Sequence, residues 1–181
     1  MQNTKLIASF ITSIVLSSSF STIYGKIVLA QRPQRPVPLL NAKCVNSGLG
    51  SARSENLDVS IGRAVYTSQF YLGPGYRSAS ITCNINPNNR PQPLFETLNL
   101  GFGMLDSSNS PSVEVRVFVD GNQVEARTIG PGQPNSLALN VSNVNNVAIE
   151  TVCSSPTQYC DRVYFFNAGL EKPSLSQQPK K

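Results

Sequence analysis

Chemistry that depends on an imidazole is closed to this chain, because none of its 181 residues is a histidine. Ser-His-Asp and Cys-His nucleophiles, histidine metal sites and histidine pH switches are excluded together. What remains is a pair of carboxylates, a Ser-Lys pair or a cysteine thiolate. Glu96, Asp106, Asp120 and Asp161 are the candidate acids and bases, while Glu114, Glu125 and Glu150 alternate along strand-like segments and are expected to face water. None of them stands in a motif that would set two carboxyls across a cleft, as glycoside hydrolysis requires. No lysine lies between Lys43 and Lys172, which removes a Ser-Lys dyad from the body of the chain. The expectation is a protein that is not an enzyme and needs no cofactor.

Two further patterns touch ligand chemistry. Asp106-Ser107-Ser108-Asn109 offers carboxylate and amide oxygens to a hard cation, so Asp106 is a candidate ligand of a structural calcium; the same residues also suit an Asx turn. Gly101-Phe102-Gly103 has neither a third glycine nor a following helix and is no dinucleotide fingerprint. The aromatic residues say more. Tyr66, Phe70, Tyr71 and Tyr76 surround the turn Gly73-Pro74-Gly75, with Arg77 beside it, and Tyr159 sits next to Asp161. Sugar-binding surfaces combine a ring, stacked under the apolar side of a pyranose, with planar hydrogen-bonding groups. Tyr66, Tyr71, Tyr76, Arg77, Tyr159 and Asp161 are therefore the candidate ligand-binding residues, and Phe70, Phe102, Phe165 and Phe166 are expected in the core.

Four cysteines and the N-terminal residues bear on the compartment. Lys5 followed by the apolar run Leu6–Leu16 reads as a secretory signal, too short to span a bilayer, with cleavage after Ala30 and Gly25 as the second choice; a buried or anchoring helix is the other reading. An even number of cysteines in an exported chain points to disulfides, and there is no C-x-x-C. Cys44, Cys83, Cys153 and Cys160 allow three pairings; the short spacing favours Cys153–Cys160, which leaves Cys44–Cys83. In the chain-entropy account the small loop contributes about 2.5 kcal/mol and the large one about 4 kcal/mol. The chain is expected in the cell envelope, in the periplasm or outside the cell, without a membrane span once the signal is removed.

The net charge of +5 does not point to nucleic acid, because nine basic residues face ten acidic ones between Lys43 and Lys172. The excess sits near the two ends, whereas phosphate-backbone binding needs a basic face.

The elements that must carry these residues are strands. Ala79, Ile81, Cys83 and Ile85 alternate with polar residues, and so do Leu98, Leu100 and Phe102, and Val113 to Val119. Asp120-Gly121 marks a hairpin into Val124–Ile129; Leu137–Val141, Val147–Cys153 and Val163–Phe166 complete the pattern. About eight strands and no capped helical segment imply an all-β fold, an antiparallel β-sandwich or jelly roll. The expected organisation is a signal at 1–30, a Pro-rich linker at 31–42, a sandwich at 43–172 and a polar tail at 173–181.

From Ile61 onward the order of pieces resembles the NPCBM-type carbohydrate-binding module. Those pieces are Gly62-Arg63-Ala64-Val65-Tyr66, the run Phe95–Asp106, Val113–Val124 with its Asp-Gly hairpin, Gly130-Pro131-Gly132-Gln133, Leu137–Thr151 and the closing Asp161–Leu170. The resemblance implies a galactose-binding-like jelly roll and a glycan, or another envelope component, as partner. Gly73-Pro74-Gly75-Tyr76 stands where the module carries a Gly-His type segment, and Tyr164 and Phe165 stand where it offers tryptophan. The alternative is a structural or protein-interaction module of the envelope without sugar binding.

Export has a direct test. Mass analysis of protein recovered outside the cytoplasm should give Gln31 as the first residue, and an intact Met1 chain confined to the cytosol would overturn the signal.

Overall fold

A computed structural model describes residues 35–87 and 93–173, so the expected signal at 1–30 and the expected tail beyond 173 lie outside the described residues. The strands are β1 (Val37–Pro38), β2 (Lys43–Gly48), β3 (Ser51–Ile61), β4 (Ala64–Gly73), β5 (Ser78–Asn84) and β6 (Thr97–Gly103). They continue with β7 (Val113–Val119), β8 (Asn122–Ile129), β9 (Pro134–Asn140), β10 (Asn146–Cys153), β11 (Val163–Phe165) and β12 (Gly169–Glu171). A single 3-10 turn, Leu39–Asn41, interrupts them, and among the described residues no helix is long and apolar enough to cross a membrane.

Two antiparallel sheets result. One runs β2-β5-β10-β7-β8; the other runs β1-β12-β6-β11-β4-β3, with β9 also paired to β6. The strict alternation of β5, β7 and β10 buries Ala79, Ile81, Cys83, Val113, Val115, Val117, Val147 and Ile149 on one side and leaves polar neighbours on the other. Thr151 occupies the last inward position of β10, and its hydroxyl donates to the Ala79 carbonyl at 3.2 Å, which satisfies the buried oxygen. From the facing sheet come Phe70, Leu72, Leu98, Leu100, Phe102, Val163, Phe165 and Leu170. Phe165 is the register partner of both Phe70 and Phe102, so three rings from adjacent strands meet in a row, at 4.5 Å and 5.7 Å between centroids. Phe70, Phe102 and Phe165 are core, as the sequence implied, whereas Phe166 is half-buried and stacks on Tyr66.

Among the described residues there are twelve strands where the sequence implied about eight. The sequence reading left out β3 and β4, the longest hairpin, because β3 carries mostly exposed polar residues and the C-terminal half of β4 is buried on both faces. The expected linker also needs correction at its end: Val37–Pro38 pairs with Leu170 and Gly169, and Leu39 is buried in the core. Proline is tolerated there because β1 is an edge strand. The disulfides are Cys44–Cys83, joining register partners of β2 and β5, and Cys153–Cys160.

Phe102 touches both the ring row and the strand partners of β6, with no exposed surface. Phe102→Ala should cost about 3–5 kcal/mol in urea unfolding; a loss below about 1 kcal/mol would show that the row is not a packing centre.

Candidate functional site

The site residues are held by three connections at one end of the sandwich, and each has a backbone reason for its position. After β4 the chain turns at Pro74, with the Arg77 amide donating to the Pro74 carbonyl at 3.0 Å and Gly75 in the left-handed region at φ 62°. After β10 the residues 154–162 form a loop closed by Cys153–Cys160 and braced by the Ser155 hydroxyl, which accepts the Gln158 amide at 3.1 Å. The two loops are tied together. Cys160 donates its amide to the Gly75 carbonyl at 2.8 Å, and Cys153 donates to the Arg77 carbonyl at 2.9 Å. The third connection, Leu49–Gly50 between β2 and β3, is fastened by the Gly50 amide on the Ser78 carbonyl at 2.8 Å. A side chain at Gly50 would run into the Gly73 carbonyl oxygen, so only glycine permits that approach.

Three large residues stand out from these loops into water. Tyr76 is 62% exposed, Tyr159 53% and Leu49 77%. The two tyrosine rings meet edge to face, 5.5 Å apart at 82°. With Pro74 and Arg77 they line an open depression of about 450 Å³, large enough for a small ligand. Among the described residues the Arg77 side chain makes no ion pair, whereas Arg116 pairs with Glu114 and Glu150, and Arg127 with Glu125. On the other side of Tyr159 a second hollow of about 300 Å³ is lined by Ser107, Asp161 and Arg162, among others. Asp161 accepts the Ser108 hydroxyl there at 2.6 Å.

The structure thus brings together Tyr76, Arg77, Tyr159 and Asp161 and separates the other two candidates. Tyr71 is 5% exposed, with the Arg162 guanidinium 4.2 Å over its ring and Tyr164 beside it, so neither face is open to a sugar. The hydrogen bond that Arg162 donates to the Tyr164 side chain raises the Arg162 pKa, against the effect of burial, and the residue stays a cation. Tyr66 lies in a different hollow with Pro134, Asn135 and Ser136. Leu49 escaped the sequence reading; a leucine between two glycines in a turn was the signal for it.

Asp106, the candidate cation ligand, fastens the turn between β3 and β4 in this structure. Its carboxylate accepts the Ser60 hydroxyl at 2.6 Å and the Gly62 and Arg63 amides at 2.7 and 3.0 Å, and no group of three or more metal-ligating side chains occurs among the described residues. Gly62 and Arg63 both sit at positive φ, 62° and 64°, as a two-residue turn between β3 and β4 demands. For Arg63 that conformation is unfavourable, and the carboxylate compensates by holding the turn amides. Asp120, in the β7–β8 turn, accepts the Asn146 amide at 2.8 Å and so holds the start of β10.

The Ser60 hydrogen bond, then the Arg63 amide, lower the Asp106 pKa below its ordinary value of about 3.9. A depressed folded-state pKa means that the unfolded chain takes up the proton first. The stabilisation is therefore present above about pH 4 and is lost as pH falls toward the folded-state value. Asp106→Asn should lower the Tm at pH 7, and the gap to the parent protein should close in that acid range; a gap independent of pH would exclude a role for the charge.

No family model matches the chain, and no curated protein does. Solved structures do match. The chain is similar to the CBM51-2 and INT domains of Clostridium perfringens ZmpB, with a TM-score of 0.61, 14% identity, and coverage of 76% of this chain and 32% of that one. It is also similar to CBM51 from Clostridium perfringens GH95 in complex with methyl-galactose, with a TM-score of 0.60, 11% identity, and coverage of 75% and 99%. The tandem CBM51 modules of Sp3GH98, the family 98 glycoside hydrolase from Streptococcus pneumoniae SP3-BS71, follow with a TM-score of 0.53, 12% identity, and coverage of 77% and 50%. The chain spans about a third of the length of the first of these. At such identities the likeness concerns the fold, an all-β antiparallel sandwich of the galactose-binding-like kind.

Proposed function

We propose that this protein is a non-catalytic, exported module that binds a cell-surface or extracellular glycan through the loop end bearing Tyr76, Arg77, Tyr159 and Asp161. One observation carries the reading: two tyrosine rings and an arginine without an ion pair stand exposed over an open depression, on loops that a disulfide and backbone hydrogen bonds hold in place. Exposed rings offer an apolar face to a pyranose, and the guanidinium offers paired donors to vicinal hydroxyls. The likeness to carbohydrate-binding modules supports it, and the NPCBM-like order of segments belongs to the same proposal. Two disulfides suit an oxidising compartment, which supports export.

A ring contact and a charge-assisted hydrogen bond together supply about 2–4 kcal/mol. Single-site affinity is then on the order of 1 mM or weaker, and useful retention rests on clustered ligands. A second reading, a protein-interaction module of the envelope, is favoured by β2, a free edge of its sheet on which Val45 is 66% exposed.

A printed glycan array decides between them. Tyr76→Ala and Arg77→Ala should each lower glycan retention with little change in Tm, whereas Tyr71→Ala should cost about 3–5 kcal/mol of stability as a packing residue. Retention that survives both loop substitutions would move the sugar elsewhere, and a folded parent protein retained by no glycan would give first place to the protein-interaction reading.

A further inference from the structure

The depression between Tyr76 and Tyr159 is not isolated. Tyr159 also walls the hollow that holds Ser107, Asp161 and Arg162, and Tyr76 with Arg77 also walls a third, of about 470 Å³, that holds Arg116, Glu150 and Pro156. Three hollows therefore lie in sequence, each sharing a tyrosine with the next. A single sugar has no use for such a row; a chain of sugars does. The direction of that chain follows from the rings. Flat ribbons such as cellulose or chitin lie on aromatic platforms that share one plane, and two rings at 82° share none. A saccharide that follows both must turn its ring plane between adjacent units.

We propose that the loop end takes a curved oligosaccharide of at least three units laid across Tyr76 and Tyr159, rather than a single terminal sugar or a flat ribbon. The proposal rests on the glycan-binding reading and adds chain length and shape to it. The middle unit lies against the mostly apolar surface of Leu49, Pro74 and the tyrosines, where the pyranose presents its own apolar face. The unit beyond Tyr159 meets Asp161, whose carboxylate accepts the Ser108 hydroxyl and keeps further lone pairs for sugar hydroxyls, beside Arg162, whose guanidinium lies over Tyr71. The unit beyond Tyr76 meets Arg77 and the Arg116–Glu150 pair.

The test is an array of mono- to hexasaccharides in curved and extended linkages, neutral and acidic, read beside retention on microcrystalline cellulose and chitin. Affinity in at least one curved series should rise about tenfold or more from one unit to three, and Asp161→Asn should remove most of that rise. A monosaccharide bound as tightly as its trimer, or stronger retention on cellulose or chitin than on any curved series, overturns the row of subsites and leaves the glycan-binding reading standing. A folded parent protein that binds no saccharide of any length overturns both.

Discussion

The hydrogen bond from the Cys160 amide to the Gly75 carbonyl is the contact on which the loop end depends. It joins two loops that are far apart in sequence and belong to different sheets at their origins, since one leaves β4 and the other leaves β10. Without it Tyr76 and Tyr159 would each ride on a separate connection, and their edge-to-face contact would cost backbone entropy of about 1–2 kcal/mol for every residue ordered. With it, the disulfide to Cys153 and the Cys153 amide on the Arg77 carbonyl close a small circuit of covalent and backbone bonds. Cys160 is fully buried inside that circuit, while the tyrosine next to it stays in water. Rigidity and exposure are separated by one residue.

Carboxylates play a parallel part at the other turns. Asp106 and Asp120 entered as candidate acids and bases, Asp106 also as a cation ligand, and both accept backbone amides: Asp106 at the turn between β3 and β4, Asp120 from Asn145 and Asn146 where β10 begins. For Asp106 the physical reason lies in the turn. A two-residue hairpin turn forces positive φ, leaves amides pointing away from the ladder, and gains most from an anionic acceptor. Both oxygens of Asp106 are engaged in this way. In the proposed site the polar part falls to Arg77 and Asp161 at the loop end.

Legibility from sequence followed the number of faces a strand buries. β5, β7 and β10 each bury one face, so their alternation was plain, and the Asp120-Gly121 turn was equally plain from its residue types. β4 buries Phe70, Tyr71, Leu72 and Gly73 in succession, which erases the period-two signal. The same fact explains Tyr71: nothing in an aromatic run tells which ring faces the core, which is covered by a neighbour and which meets water. Leu40, Ala42 and Val37 pack on the core from a segment whose prolines read as linker, because a two-residue edge strand has no period to detect. Both disulfides were readable for the opposite reason, since spacing alone constrains so small a set of pairings.

A sandwich places its loops at the ends of its sheets, and there the demands of packing are weakest. The core here is complete without Tyr76, Arg77, Tyr159 or Leu49, none of which belongs to either buried cluster. Such residues are free to change without loss of the fold, which is consistent with a shared architecture at 11–14% identity to modules whose loops need not match. What the fold contributes to the loop end is therefore the circuit around Cys160 and not the residues it displays. Since that circuit is already ordered, a ligand docking on these loops would have little loop entropy to overcome, and under the glycan-binding proposal a low affinity would follow from few contacts rather than from the cost of arranging them.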